Sequence, residues 1–223
     1  HMLVVDVAHG HSKRAGSVVE SLRGLIDKNG YKCTLVAGNV ATGDGARFLA
    51  DAGADIIKVG IGPGAACTTR VQTGVGVPQL SAVMECSDAM SDYLDVQVIA
   101  DGGIKTPGDI AKALAAGADA VMVGGMLARC VEAPGLVKEV DGVRLKQYRG
   151  MASAAAGSRY VEGAEGWVPC DTDVGSVMTS ISNGLQSAMS YVGARKLDEF
   201  KENAQFVPVS PLSIKENGAH AYS

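Results

Sequence analysis

The chain has 223 residues, 47% hydrophobic and 20% charged, with a formal net charge of −4 and a pI near 5.6. That length can bury a large core, as one domain or as part of a larger one, and a mildly acidic chain without a basic stripe argues against nucleic acid as a partner. Five cysteines, at 33, 67, 86, 130 and 170, form no CxxC pair and no metal-ligand spacing, and no apolar run is long enough to cross a bilayer, so a reducing, cytoplasmic setting with small molecules or other subunits as partners is expected.

In chain order, apolar strand-like runs are predicted at 3–8, 34–40, 55–61, 79–83, 96–100 and 120–124. Helical periodicity falls between them at 17–27, 43–52 and 107–116, and again at 175–193. Such alternation predicts βαβ units and a parallel sheet. Two of the units repeat: Ala52-Gly53-Ala54-Asp55 before one apolar run is matched by Ala116-Gly117-Ala118-Asp119 before another. In both copies a glycine suited to a left-handed helix cap precedes a strand that ends in glycine. Repetition with glycine at the C-terminal ends of strands predicts an α/β fold of the (β/α)8 TIM-barrel type, with catalytic loops gathered at that face. Six runs do not close eight strands, so the expectation is a chain that covers about six of the eight.

The chemistry concentrates after the third run, in Gly60-Ile61-Gly62-Pro63-Gly64-Ala65-Ala66-Cys67-Thr68-Thr69-Arg70. Glycines there allow close approach of a ligand to the main chain, and converging N–H groups favour the thiolate of a cysteine in such a loop. Cys67 is therefore a candidate nucleophile, although a free cysteine is more commonly a small buried hydrophobe. Asp101-Gly102-Gly103 and Gly124-Gly125 follow consecutive strands, where barrels bind phosphate through main-chain N–H groups. Asp101 can accept hydrogen bonds from ribose hydroxyls, so the pair of loops points to a nucleotide. His9-Gly10-His11 lacks a third ligand and reads as a strand-end loop.

Residues 60–76, 78–86, 100–104, 121–128 and 148–151 resemble the inosine monophosphate dehydrogenase and guanosine monophosphate reductase family, a (β/α)8 barrel family, and the likeness covers nearly the whole chain. It implies that the chain starts at the third barrel strand, with an active-site flap at 141–175 and a tail at 205–223. It further implies that Cys67 attacks purine C2, that Thr69 manages a proton, and that Glu165 reads the purine edge. Asp101 would hold the ribose, Gly102, Gly103, Gly124 and Gly125 the phosphate, and Gly150, Met151 and Ala152 the base. Asp6, Val7 and Ala8, with Ile61 and Gly62, would meet a nicotinamide cofactor, NADPH or alternatively NAD. The carbonyls of Gly62, Gly64 and Cys67 would hold a monovalent cation such as K+. GMP or IMP would be the substrate, and the family likeness implies a homotetramer.

The sequence leans toward the reductase through Gly124-Gly125-Met126-Leu127-Ala128 and Ser190-Tyr191-Val192-Gly193-Ala194. Arg159-Tyr160 leans the other way, because dehydrogenases carry an Arg-Tyr pair on a mobile flap. Ala65 departs from the family, which usually has a serine at that place. That removes one hydrogen bond to phosphate, worth up to about 1.5 to 3 kcal/mol with a charged acceptor.

Overall fold

The computed structural model describes residues 1–154, 157 and 162–213. Five parallel strands carry it: β1 (Met2–Asp6), β2 (Thr34–Val40), β3 (Ile56–Val59), β4 (Gln97–Asp101) and β5 (Ala120–Met122). They lie in the order β1-β2-β3-β4-β5. Each strand neighbours the next in sequence, so the sheet has no reversal of order of the kind that defines a doubly wound fold and instead follows a barrel's winding. β2 and β3 are almost wholly buried, as expected of strands covered on both faces.

Helices α1 (Lys13–Asn29), α2 (Gly43–Asp51), α4 (Gln79–Ala89) and α5 (Pro107–Ala115) fill the crossovers, with the short α3 (Thr69–Thr73) directly after the cysteine loop. α1 begins earlier than the periodicity at 17–27 suggests, because the Ser12 hydroxyl accepts the Ala15 N–H and caps it. α5 starts with a full capping box in which Thr106 and Asp109 satisfy each other's backbone. The core is made of Val19, Leu35, Leu49, Ile57, Val83, Val98, Ile110 and their neighbours, between the helices and the sheet.

One expected strand is a helix. Residues 79–83 form the first turns of α4, so the described residues supply five parallel strands where six were expected. A short apolar run does not distinguish strand from helix. Here burial continues at Ala82, Val83, Cys86 and Ala89, the spacing of a helix face. The fold class itself stands.

The repeated unit has a physical purpose in both copies. Gly53 and Gly117 sit at φ 99° and 107°, the left-handed region that lets the chain leave α2 and α5 and turn into the sheet. Asp55 then accepts the Leu35 N–H at 2.7 Å, and Asp119 the Val98 N–H at 2.8 Å, so each aspartate ties its strand to the one before it.

After β5 and a short α6 (Gly125–Ala128), the chain builds a separate antiparallel sheet from β6 (Val137–Val140), β7 (Val143–Arg149) and β8 (Glu165–Pro169). It returns as α7 (Val174–Tyr191), which packs on α5, and α8 (Leu197–Asn203). The expected insert at 141–175 overlaps this sheet, and the expected tail falls partly on 214–223, outside the described residues. No helix among the described residues is long and apolar enough to cross a membrane.

Candidate active site

A cavity of about 450 Å3 opens at the carboxyl ends of β1, β3 and β4 and is closed on one side by the antiparallel sheet. From the parallel sheet come Asp6, Val7 and Ala8 after β1, Asn39 and Lys58 from β2 and β3, the loop Gly60 to Cys67 with Thr69, and Asp101 with Gly102. From the other side come Tyr148, Gly150, Met151, Ala152, Glu162 and Gly163.

Glycine allows the cysteine loop to lie where it does. Gly60 has φ 149°, and a Cβ there would stand 2.0 Å from the Asp101 carbonyl oxygen. The loop then folds on itself, Cys67 N–H donating to Gly64 O at 3.0 Å. It is held from the far side as well: Thr68 N–H donates to Glu162 O and Ala164 N–H to Ala66 O, both at 2.8 Å, with Cys67 and Gly163 bridged as in an antiparallel pair. Gly150 lies in the same junction, where a Cβ would come within 2.9 Å of Ala66 O and of Gly163 Cα.

Three side chains form a line on this wall. The Cys67 thiol donates to Thr69 Oγ1 at 3.2 Å, and the Thr69 hydroxyl donates to Glu162 Oε2 at 2.8 Å. A proton on sulfur therefore has a hydrogen-bonded path to a carboxylate. Sequence reasoning chose the neighbouring glutamate. Glu165 is exposed on β8, opposite Arg149 in the ladder, and is not among the residues lining the cavity. The sequence holds two Glu-Gly pairs, 162–163 and 165–166, and only the start of β8 at Glu165 decides which one folds back over the cysteine.

Across the floor runs a charged array. Lys58, with its side chain only 4% exposed, donates to Asp101 Oδ2 at 2.7 Å and to Asp6 Oδ1 at 2.9 Å. Asn39 Nδ2 donates to the same Asp101 oxygen at 3.0 Å and to Gly60 O at 2.7 Å. Gln79 Nε2 reaches Val59 O and the Asp101 carbonyl, at 2.8 and 3.1 Å. Burial lowers the lysine's affinity for its proton, but the hydrogen bonds and charges of Asp101 and Asp6 outweigh it, and Lys58 is held above the ordinary lysine value. Lys58, Asn39, Tyr148 and Glu162 were all missed from sequence. Lys58 left a signal, a charge inside the apolar run Ile56-Ile57-Lys58-Val59.

The structure brings Asp6, Val7, Ala8, Ile61, Gly62, Gly64, Cys67, Thr69, Asp101, Gly102, Gly150, Met151 and Ala152 to one cavity. Gly103, Gly124 and Gly125 are not in its lining. Gly125 lines an adjacent cavity of about 460 Å3 that shares Ala65 with the first, and the Tyr148 hydroxyl packs 3.2 Å from where a Gly124 Cβ would lie. Arg159-Tyr160 lies outside the described residues. His9 and His11 occupy the loop after β1, and no group of three His, Cys, Asp or Glu among the described residues could hold a metal ion.

A sequentially wound parallel sheet whose carboxyl ends carry a cysteine loop, a buried lysine between two aspartates and glycine turns defines an α/β protein of the barrel type with its candidate site at that face. The chain belongs to the IMP dehydrogenase / GMP reductase family, whose domain it matches over residues 1–220. It is 46% identical over 236 residues to inosine-5′-monophosphate dehydrogenase of Rhizobium tropici, covering 98% of this chain and 46% of that protein. It is 42% identical over 238 residues to GMP reductase of Leishmania donovani, covering 100% of this chain and 48% of that protein. Among solved structures, a cysteine-to-alanine variant of GMP reductase from Trypanosoma brucei in complex with guanosine 5′-monophosphate superposes with a TM-score of 0.91 at 43% identity, over 100% of this chain and 48% of that one. The chain thus spans about half the length of the relatives it matches.

Proposed function

We propose that the protein is a GMP reductase, converting GMP to IMP and ammonia at the expense of NADPH. The observation that carries the reading is the line from Cys67 through Thr69 to Glu162. The thiol proton passes along it, and the thiolate adds to the electron-poor C2 of the purine. The C2 amino group is a poor leaving group until its nitrogen is protonated and can depart as ammonia, and Thr69 with Glu162 behind it delivers that proton as the C2–N bond breaks. Hydride for C2 comes from the reduced nicotinamide when one is bound, after which the C2–S bond breaks and Cys67 is free again. The likeness to the Trypanosoma brucei structure, which holds GMP, supports this direction.

Asp101 would accept from ribose hydroxyls, and the Gly102-Gly103 and Gly124-Gly125 turns with Tyr148 would surround the phosphate. Asp6, Val7 and Ala8, with Ile61 and Gly62, would hold the cofactor. The fit is supported by Ile61 and Gly62, which line the cavity together with Asp6, Val7 and Ala8, and by Asn39 Oδ1, a buried acceptor with no partner among the described residues. For K+ at the carbonyls of Gly62, Gly64 and Cys67, Gly64 O already accepts from Cys67 N–H and has one lone pair left. A homotetramer in the cytoplasm completes the proposal.

The second reading is IMP dehydrogenase, with NAD as oxidant, favoured by Arg159-Tyr160 and by relatives of that name at 46% identity. Nicotinamide absorbance in two parallel reactions of the full-length protein separates them. NADPH consumption with GMP is expected, reduced more than about a thousandfold by Cys67→Ala. NADH formation with IMP would reverse the assignment.

A further inference from the structure

The lysine on the floor of the cavity is placed by a gap in the sheet. Asp6, Gly38 and Lys58 stand opposite one another on β1, β2 and β3. Lys58 must therefore cross the middle strand to reach Asp6, and it does so where that strand has no side chain. A Cβ on Gly38 would lie 2.8 Å from Lys58 Cβ and 2.5 Å from its carbonyl oxygen. On the other flank Lys58 pairs with Ile99 of β4, two residues before Asp101. The two bonds on the Asp101 carboxylate, from Lys58 and from Asn39, fall on the single oxygen Oδ2. That fixes the group's rotation and leaves Oδ1 for a ligand. Asp6 is the exposed end of the array, its side chain 54% accessible at the cavity rim.

We propose that Lys58 is a positioning residue that joins Asp6 and Asp101 into one array, so that the cofactor-facing and ribose-facing parts of the cavity share a single cation and are energetically coupled. The coupling rests on the functional reading of those two aspartates; the bridge itself rests on the sheet. Two carboxylates reaching one buried ammonium divide its hydrogen bonds between them, and a change at one alters how firmly the other is held. Removing the lysine leaves both acids at the site without their cation.

The test uses the full-length protein, with GMP and NADPH as separate probes in calorimetry. In the wild type, Asp6→Asn is expected to weaken NADPH binding and also to change GMP affinity at least threefold. In the Lys58→Met background the same substitution is expected to leave GMP affinity within about 1.5-fold, and Lys58→Arg is expected to restore part of the cross-effect. An Asp6→Asn change that never alters GMP affinity, or alters it equally without the lysine, overturns the coupling; the wild-type comparison alone decides this if Lys58→Met does not fold. Thermal melts judge the bridge without any ligand. Asp6→Asn and Asp101→Asn should each lower the melting temperature of the wild type and raise that of Lys58→Met. The same sign in both backgrounds overturns the bridge. If neither GMP nor NADPH binds the wild type while the sign reversal is seen, the reading of the site fails and the lysine array stands.

Discussion

The parallel sheet brings Asn39 and Lys58 to the cavity on the buried strands β2 and β3, whereas the other side brings Tyr148 in on the largely exposed β7 and Gly150 and Glu162 in on the segment between β7 and β8. On the first side the floor is tied across strands: Lys58 to two aspartates, Asn39 Nδ2 to the Gly60 carbonyl and Asp101, and Gln79 Nε2 to the Val59 and Asp101 carbonyls at the ends of β3 and β4. On the second side the segment over the cysteine loop is held by a few backbone hydrogen bonds from 162–164 and by the Thr69–Glu162 contact, while β7 behind it is anchored by the buried Lys146 on the Cys130, Val131 and Ala133 carbonyls. A rigid wall and a lightly attached one suit a site that must hold a nucleotide and still exchange ligands. The reacting line has its sulfur and hydroxyl on the rigid wall and its carboxylate on the other.

That contrast can be broken by substitutions on either side. The largest effect on stability is expected from Gly60→Ala, where a Cβ at positive φ would meet the Asp101 carbonyl oxygen at 2.0 Å. A loss of about 1 to 3 kcal/mol or more is expected by chemical denaturation, and a near-neutral result would mean that this wall is not rigid. A smaller effect concerns alkaline pH. The folded pKa of Lys58 is raised, so the stability it contributes is fully present below the ordinary value of 10.5 and is lost as pH rises through the raised value. The difference in stability between wild type and Lys58→Met should therefore be flat from neutral pH up to 10.5 and shrink above it, as followed by melting across that range. Smallest is Asp109→Ala, which removes the capping box of α5 away from the cavity. About 1 kcal/mol should be lost in denaturation with no change in KM for either substrate.

The same contrast explains what the sequence made legible. β2 and β3 announce themselves as apolar runs, and the Ala-Gly-Ala-Asp repeat announces two strand entries, because burial and left-handed turns restrict which residues can stand there. The cysteine loop was legible for the same reason: its glycines are needed for close backbone approach. Residues 79–83 were misread because helix and strand share a short apolar run, and only Cys86 and Ala89 one and two turns on reveal the helix face. β6 to β8 alternate weakly, since little of either face is covered. Glu162 was hidden by a duplicate: nothing local separates it from Glu165, and the choice is made by the register of β8 against β7.

The most direct test of this account compares Glu162→Gln with Glu165→Gln in the full-length protein, measuring kcat for NADPH-dependent turnover of GMP. With Glu162 behind Thr69 as the proton's partner, Glu162→Gln should lower kcat by about a hundred- to ten-thousandfold. Glu165→Gln, on the exposed face of β8, should stay within about threefold of wild type. The reverse ranking, or two equal losses, would contradict the assignment of the cavity carboxylate and with it the proposed path of the proton.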